Sequence, residues 1–125
     1  MCGFDSPHRR ACSASKDAIN AMNASMAKAL AAEGVTVNAI SPGTIHSATL
    51  DARFRETAAE RGLAGKAAPW EDIERAFLPL FAQVPIGRVG ELDEIADAVA
   101  FLASPRAGYI TGANLRIDGG LSPSL

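Results

Sequence analysis

The segment VTVNAISPG, residues 35–43, carries the clearest structural signature in this sequence of 125 residues. Its first six residues are rich in β-branched side chains, as in a strand buried on both faces of a parallel sheet. Pro42 and Gly43 end the strand, because proline cannot donate to the ladder and glycine permits a sharp turn. Gly34, immediately before the segment, is a typical helix-ending residue. The segment therefore predicts a helix, a short strand and a tight turn in succession.

Residues on both sides of this segment alternate between helical and extended patterns. Apolar side chains recur every three or four positions from 13 to 33, which predicts a helix. Its apolar face comprises Ile19, Met22, Met26, Ala29 and Leu30. Further helices are predicted over 49–61, 69–83 and 92–103, and a last short strand over 114–118. This order of elements indicates an α/β class with parallel strand pairing.

Two details refine the helical predictions. Pro79 lies inside the third helical pattern and should kink or end that helix. The predicted helix over 92–103 has a single apolar stripe, with Asp93 and Glu94 at its positively polarised N-terminal end. That stripe comprises Leu92, Ile95, Ala96, Val99, Leu102 and Ala103.

The composition is that of one globular domain over residues 1–125. Hydrophobic residues make up 48% of the sequence and the net charge is −2, so a core is possible at this length. The mild acidity gives no electrostatic reason to expect nucleic acid or a membrane surface as a partner, and no apolar run could span a bilayer. Cys2 and Cys12 lack the spacing of a metal or redox site. We therefore expect free thiols, no metal and a cytoplasmic location.

Three separated segments resemble the short-chain dehydrogenase/reductase family, in its order and at its spacing. They are SASK at residues 13–16, VNAISPG at 37–43, and a C-terminal set that runs from PIGR at 85–88 to DGG at 118–120. The sequence CSASK is similar to the family's Tyr-x-x-x-Lys segment, with Cys12 at the position of the catalytic tyrosine. Each segment alone is a weak signal, but together they cover nearly the whole chain outside the middle helices.

The resemblance implies the C-terminal part of a Rossmann-like, doubly wound parallel sheet, with the N-terminal half missing. Residues 1–12 match the family weakly, and residues 48–84 correspond to the helices of its substrate lid. The sequence contains no Gly-x-Gly-x-x-Gly or Gly-x-x-x-Gly-x-Gly loop, so the cradle for the cofactor phosphates is absent. By spacing, the family's catalytic serine would fall at or just before Met1.

Lys16 and Cys12 are the candidate catalytic residues implied by the resemblance. In the family, the lysine binds the nicotinamide ribose and lowers the pKa of a tyrosine one helical turn away. A thiol beside Lys16 would ionise more easily than a phenol, since the ordinary thiol pKa is about 8.5. Its sulfur, however, ends short of where the phenol oxygen would lie, and proton transfer requires hydrogen-bond distance first. We therefore expect Cys12 not to act as the acid/base.

Pro42, Gly43, Ile45 and Ser47 match the family loop that packs on the nicotinamide. In the family, backbone groups near Ile45 orient the ring, and a hydroxyl at the position of Ser47 contacts the carboxamide. The alternative is an ordinary strand-ending turn, and without the other half of the fold we expect little cofactor binding. His46, between these residues, reads as a solvated loop residue.

Two other groups of residues have structural readings. Apolar residues in the lid region have helical spacing, which fits either a substrate pocket or, more commonly, a core. They are Leu50, Phe54, Trp70, Phe77, Leu78 and Phe81. The segment of residues 118–120, Asp-Gly-Gly, reads as a structural turn.

The resemblance implies an oligomeric NAD- or NADP-dependent oxidoreductase that interconverts an alcohol and a carbonyl in a small-molecule substrate. The choice of cofactor and the substrate stay open. Because the phosphate loop, the catalytic serine and the tyrosine are absent, we expect the isolated chain to be inactive. The alternative is a non-catalytic truncated paralogue acting through subunit association, favoured by apolar faces left exposed by missing strands. A frame error near the gene start is a third interpretation.

Overall fold

The computed structural model describes residues 8–122, with side chains described from residue 14 onward. This part of the chain contains α1 (His8–Leu30), β1 (Ala39–Pro42), α2 (Ala48–Glu60), α3 (Trp70–Phe81), α4 (Leu92–Leu102) and β2 (Asn114–Ile117). Short 3₁₀ turns occupy Ala31–Glu33 and Pro105–Ala107. The predicted α/β class with two strands is confirmed.

The chain divides into two compact units, and the division passes through both strands. Unit 1 comprises residues up to 40 and residues 100–115, and unit 2 comprises residues 41–99 and those from 116 onward. In unit 1 the amide of Ala39 donates to the carbonyl of Ala113 at 2.9 Å, and in unit 2 the amide of Gly43 donates to Ile117 at 2.8 Å. Because the partner numbers increase together, the two strands are parallel, as predicted.

The first strand lies later in the chain than predicted. It begins at Ala39 instead of residue 35 and is only partly buried, so the expectation of a strand buried on both faces is wrong. The segment before β2 that pairs with residues 35–38 is irregular, and its hydrogen bonds to them involve side chains. Asn38 Nδ2 donates to the carbonyl of Ile110 at 2.9 Å, and the hydroxyl of Thr111 accepts from the Val37 amide at 3.0 Å. A regular ladder therefore starts only where β2 is near.

Helix α1 begins five residues before the predicted start and ends as predicted, with Gly34 in the left-handed region at φ 77°. Among the α1 side chains described, from residue 14 onward, the buried ones are the polar Asn23 and the small Ala27. Asn23 Nδ2 donates to the carbonyl of Ala113 at 3.1 Å, and a Cβ on Gly112 would lie 3.3 Å from the Ala27 Cβ. The helix thus packs within unit 1 through close backbone approach.

The apolar stripes of α1 and α4 are largely exposed, although Leu30, Ile95 and Leu102 are half-buried. On α1, Ile19, Met22 and Met26 are 45%, 56% and 43% exposed. Helix α4, which is described throughout, buries none of its residues, and its Leu92 is 63% exposed. Helical spacing identifies the residues that share a face, but it does not say what covers that face.

Helices α2 and α3 form a hairpin with its own core in unit 2. The buried residues of this core are Leu50, Phe54, Ala58, Ile73, Phe77, Leu78 and Val89. Phe54 is fully buried, with ring centroids 4.8 Å from Phe77 and 5.1 Å from Phe81. Four of the six apolar residues noted above therefore belong to the core, and Trp70 and Phe81 pack against it partly buried. Helix α3 ends two residues after Pro79, consistent with that proline ending it.

Replacing Phe54 tests how much this core contributes to the stability of the fold. The change Phe54→Ala removes a fully buried ring with three aromatic neighbours, so we expect the free energy of unfolding to fall by about 3–5 kcal/mol in urea titrations. Leu80→Ala is the matched control on the same hairpin, because Leu80 is 60% exposed, and it should change stability by less than about 0.5 kcal/mol. Equal losses for the two variants would contradict the assignment.

Candidate active site

Lys16 lies on the exposed surface of α1 in unit 1. Cys12 belongs to the same helix, one turn earlier, and the spacing of four residues places both on one side of it. The side chain of Cys12 lies outside the described residues, as does that of Ser13. Pro42, Gly43, Ile45 and Ser47 belong to unit 2, where they lie together at the carboxyl end of β1.

Gly43 is required by the approach of two backbones. Its amide donates to Ile117, and a Cβ at this position would lie 2.6 Å from the Asp118 Cα and 3.2 Å from the Asp118 carbonyl oxygen. Real Cβ atoms do not approach backbone atoms so closely, so only glycine fits here without a shift of one strand. Pro42, the last residue of β1, is exposed.

Ile45 extends the sheet edge by a single parallel bridge to Gly90. The Gly90 amide donates to the Thr44 carbonyl at 2.9 Å, and the His46 amide donates to the Gly90 carbonyl at 2.7 Å. Because backbone groups alternate in direction along an extended chain, the N–H and C=O of Ile45 itself point away from Gly90. The turn therefore presents one donor and one acceptor on the side opposite the bridge.

Ser47 is the N-cap of α2. Its backbone is extended, and its hydroxyl oxygen accepts from the Leu50 amide at 3.2 Å. Capping uses the oxygen as an acceptor and leaves the hydroxyl hydrogen able to donate. Ser47 is exposed, so the hydrogen can reach a ligand at the turn. This cap was not predicted from the sequence, although a serine just before a helix is a common N-cap.

His46 is not the solvated loop residue that we expected. Its side chain is only 27% exposed and stacks on the indole of Trp70, with ring centroids 4.1 Å apart and planes inclined by 14°. Its Nδ1 lies 3.5 Å from a carboxylate oxygen of Glu91, and its Nε2 lies 3.8 Å from one of Asp51. These partners are distant in sequence, so no local pattern could have indicated the stack.

A cavity of about 230 Å³ opens beside the turn, with four charged residues in its wall. Arg88 binds Glu94 through two hydrogen bonds of 2.7 and 2.8 Å, and Arg116 lies 4.0 Å from a carboxylate oxygen of Asp118. The charges of this wall are therefore satisfied by one another. The hydrogen bond from Arg88 and, to a smaller extent, the one from the Glu91 amide lower the pKa of Glu94 to about 2.

Asp118 organises the turn after β2, as its reading as a structural residue predicted. Burial raises the pKa of Asp118, but hydrogen bonds from Ser122 and from the amide of Gly120 outweigh it, and the net direction is downward. The Gly120 and Ser122 amides each donate to the carboxylate at 3.0 Å. Asp118 therefore holds the chain that lies against Gly43.

Residues 8–122 contain no helix that is long and apolar enough to cross a membrane. In the side chains that the structure describes, no group of three or more His, Cys, Asp or Glu residues could hold a metal ion.

Two parallel strands with helices between them in the chain define an α/β protein. Sequence comparison makes this class specific. The model of the family described as Enoyl-(Acyl carrier protein) reductase matches residues 4–122. The chain belongs to the short-chain dehydrogenase/reductase family, whose members are NAD(P)-dependent oxidoreductases. The predicted resemblance and the Rossmann-like fold class are confirmed.

Three relatives illustrate the match. The chain is 42% identical over 108 residues to a 3-oxoacyl-[acyl-carrier-protein] reductase of Vibrio cholerae, covering 86% of this chain and 36% of the relative. It is 37% identical over 106 residues to a 3alpha-hydroxysteroid dehydrogenase of Mediterraneibacter gnavus, covering 85% and 35%. An NADPH-bound short chain oxidoreductase of Pseudomonas aeruginosa PAO1 with an atypical catalytic center matches with TM-score 0.73 and 34% identity, covering 96% and 42%. The chain thus spans about a third of the length of the curated relatives it matches.

The Gly43 contact yields a test of the sheet edge. Gly43→Ala would push a Cβ into the Asp118 backbone, so we expect the free energy of unfolding to fall by about 1–3 kcal/mol. Gly65→Ala is the matched control, because a Cβ there meets nothing within 4 Å, and it should be neutral or stabilising by up to about 1 kcal/mol. Urea titrations measure both values. A Gly43→Ala variant as stable as the control would refute the steric argument.

The lowered pKa of Glu94 predicts an acid-dependent loss of stability. A carboxyl group with a lowered pKa stabilises the fold fully above its ordinary value of 4.5, and this contribution is lost as the pH falls toward about 2. We expect Glu94→Gln to lose less stability than the unmodified chain between pH 4.5 and 2, measured as urea midpoints. Arg88→Gln, which removes the main partner, should reduce the acid loss in the same way. An unchanged acid loss in Glu94→Gln would contradict this linkage.

Proposed function

We propose that this chain supplies the nicotinamide-binding turn of an NAD(P)(H)-dependent oxidoreductase that interconverts an alcohol and a carbonyl in a small molecule. The observation that carries the proposal is the set of open polar groups between Ile45 and Ser47. The Gly90 bridge uses the carbonyl of Thr44 and the amide of His46 but neither backbone group of Ile45, and we therefore propose that the two groups of Ile45 meet the ligand. The turn also follows the carboxyl end of a parallel strand, where ligands bind in open α/β sheets.

The residues present fit the amide end of a nicotinamide. A carboxamide offers one acceptor and two donor hydrogens, and the turn offers the Ile45 N–H, the Ile45 C=O and the Ser47 hydroxyl hydrogen. When bound, the cofactor would supply or accept a hydride. Ile45 and Ser47 would orient the ring, and Pro42 would present an apolar ring surface beside it.

Lys16 enters the proposal on the family resemblance alone. It is an exposed cation on α1 and would hold the ribose hydroxyls. We propose that Cys12, in the tyrosine position, does not transfer the proton. Its side chain is too short for the sulfur to reach the oxygen that a phenol would contact. The similar Pseudomonas oxidoreductase is itself described as having an atypical catalytic center. We therefore propose that the chain by itself shows no turnover, and that residues 48–84 act as the substrate lid.

A second function is favoured by the exposed apolar side chains of α1. Ile19, Met22 and Met26 present a surface that suits association with another copy of the chain, independently of catalysis. Light scattering on a size-exclusion column distinguishes this alternative. A monomer at micromolar concentration would exclude it.

Thermal melts with nucleotide test the first proposal. Because the 125 residues contain no phosphate loop, we expect weak binding. At 10 mM NADH or NADPH, a ligand present at ten times its dissociation constant would add about 1.4 kcal/mol of stability, which raises the midpoint by a few degrees. The measurement is the ellipticity at 222 nm, a standard helix signal, on the full chain.

Variants at Ser47 separate cofactor contact from helix capping. Ser47→Thr keeps both the cap and the hydroxyl hydrogen, so its nucleotide-dependent rise should equal that of the unmodified chain. Ser47→Asp keeps the cap but offers no donor, so its melt without nucleotide should be unchanged and its rise should disappear. Ser47→Ala should lose about 1 kcal/mol of stability as well. If no rise occurs in the unmodified chain, the proposed binding by this turn is wrong.

A further inference from the structure

The stack of His46 on Trp70 joins two segments that the hairpin separates. His46 lies in the turn between β1 and α2, and Trp70 is the first residue of α3. The centroid distance of 4.1 Å and the inclination of 14° describe nearly parallel rings in contact. The contact therefore connects the N-terminus of α3 directly to the turn that carries Ile45 and Ser47.

The charged groups around the imidazole are two carboxylates. Asp51 of α2 lies 3.8 Å from Nε2, and Glu91 of the loop before α4 lies 3.5 Å from Nδ1. From α3, the neighbour is the uncharged indole of Trp70. Among the described residues, one guanidinium, that of Arg55, is bonded to either of these carboxylates, and its partner is Asp51. The imidazole thus lies between two carboxylates and the face of the indole.

The indole itself is held in place by its neighbours. Arg55 Nη1 donates to the carbonyl of Ala68 at 2.7 Å and to that of Lys66 at 3.2 Å, which ties the linker before α3 to α2. Trp70 also packs on Phe54, with ring centroids 5.7 Å apart. Because one partner of the stack is fixed to the hairpin core, a change in the stack must move the turn and not the indole.

We propose that His46 is a positioning residue that clamps the Ile45–Ser47 turn to the hairpin through its stack on Trp70. Ile45 and Ser47 are the immediate neighbours of His46, so fixing its ring restricts the backbone on both sides. Only the consequence for cofactor binding rests on the function proposed above.

The chain contains its own reporter of this contact. Trp70 is the single tryptophan of the sequence, and the second histidine, His8, lies outside the described side chains. An imidazole in contact with an indole quenches its fluorescence, which a phenyl ring does not do. The Trp70 emission of the full chain should therefore be partly quenched by His46.

Two variants assign that quenching to position 46. His46→Phe keeps an aromatic ring on Trp70 but removes the imidazole, so its emission should rise. His8→Gln is the matched control and should emit as the unmodified chain does. Circular dichroism verifies that each variant is folded. An emission from His46→Phe equal to that of the unmodified chain would overturn the clamp.

Nucleotide-dependent melts test the positioning role separately. With 10 mM NAD⁺, the rise in midpoint should be kept in His46→Phe, whose ring can still stack on Trp70. His46→Ala, which has no ring to stack, should lose most of the rise. A rise in His46→Ala equal to that of the unmodified chain would refute positioning. If no variant shows a rise while the emission of His46→Phe still exceeds that of the unmodified chain, the function proposed above fails and the clamp stands.

Discussion

The close contact between the backbones of Gly43 and Asp118 is the constraint on which the carboxyl edge of this sheet depends. It lets β1 and β2 end side by side, with the Gly43 amide bonded to Ile117. The chain can then turn at once through Thr44 into the bridge with Gly90 and reach the cap of α2 at Ser47. The polar groups available to a ligand are positions along this path. The hydrogen bonds of the strands and the N-cap of α2 fix the direction of these polar groups. Their positions therefore depend on where the two strands end.

The same turn shows how structural and binding duties are divided among atoms. One side of the extended segment is committed to the Gly90 bridge, and the backbone groups of Ile45 point to the other side. In Ser47, the oxygen serves the helix and the hydrogen is available. Side chains in unit 2 mainly stabilise, as Arg55 does for the linker and Phe54 for the hairpin core. The groups proposed to bind the nicotinamide are mostly backbone atoms, so the proposed recognition would depend on conformation more than on residue identity.

Sequence patterns predicted the elements well and their surroundings poorly. The helix–strand–helix order, the end of α1 at Gly34 and the limits of α2 followed from local chemistry, because caps, glycines and periodicity act over a few residues. The start of β1 was wrong, because a strand begins where its partner begins, and that partner lies more than 70 residues away. The role of Gly43 as a turn residue was anticipated, but its contact with Asp118 was not. The environment of His46 was missed for the same reason, since Trp70, Asp51 and Glu91 come from three different segments.

Gly43 and Gly90, both at this edge of the sheet, differ in how they could be replaced during evolution. A side chain at Gly90 would meet Cδ1 of Ile45 at 2.8 Å, the end of a flexible side chain, so a shorter residue at position 45 could make room first. A side chain at Gly43 would meet the Cα and the carbonyl oxygen of Asp118, which every residue possesses. No substitution at position 118 can therefore compensate. Position 90 is open to paired, stepwise replacement, whereas position 43 is closed to it for as long as these two strands end together.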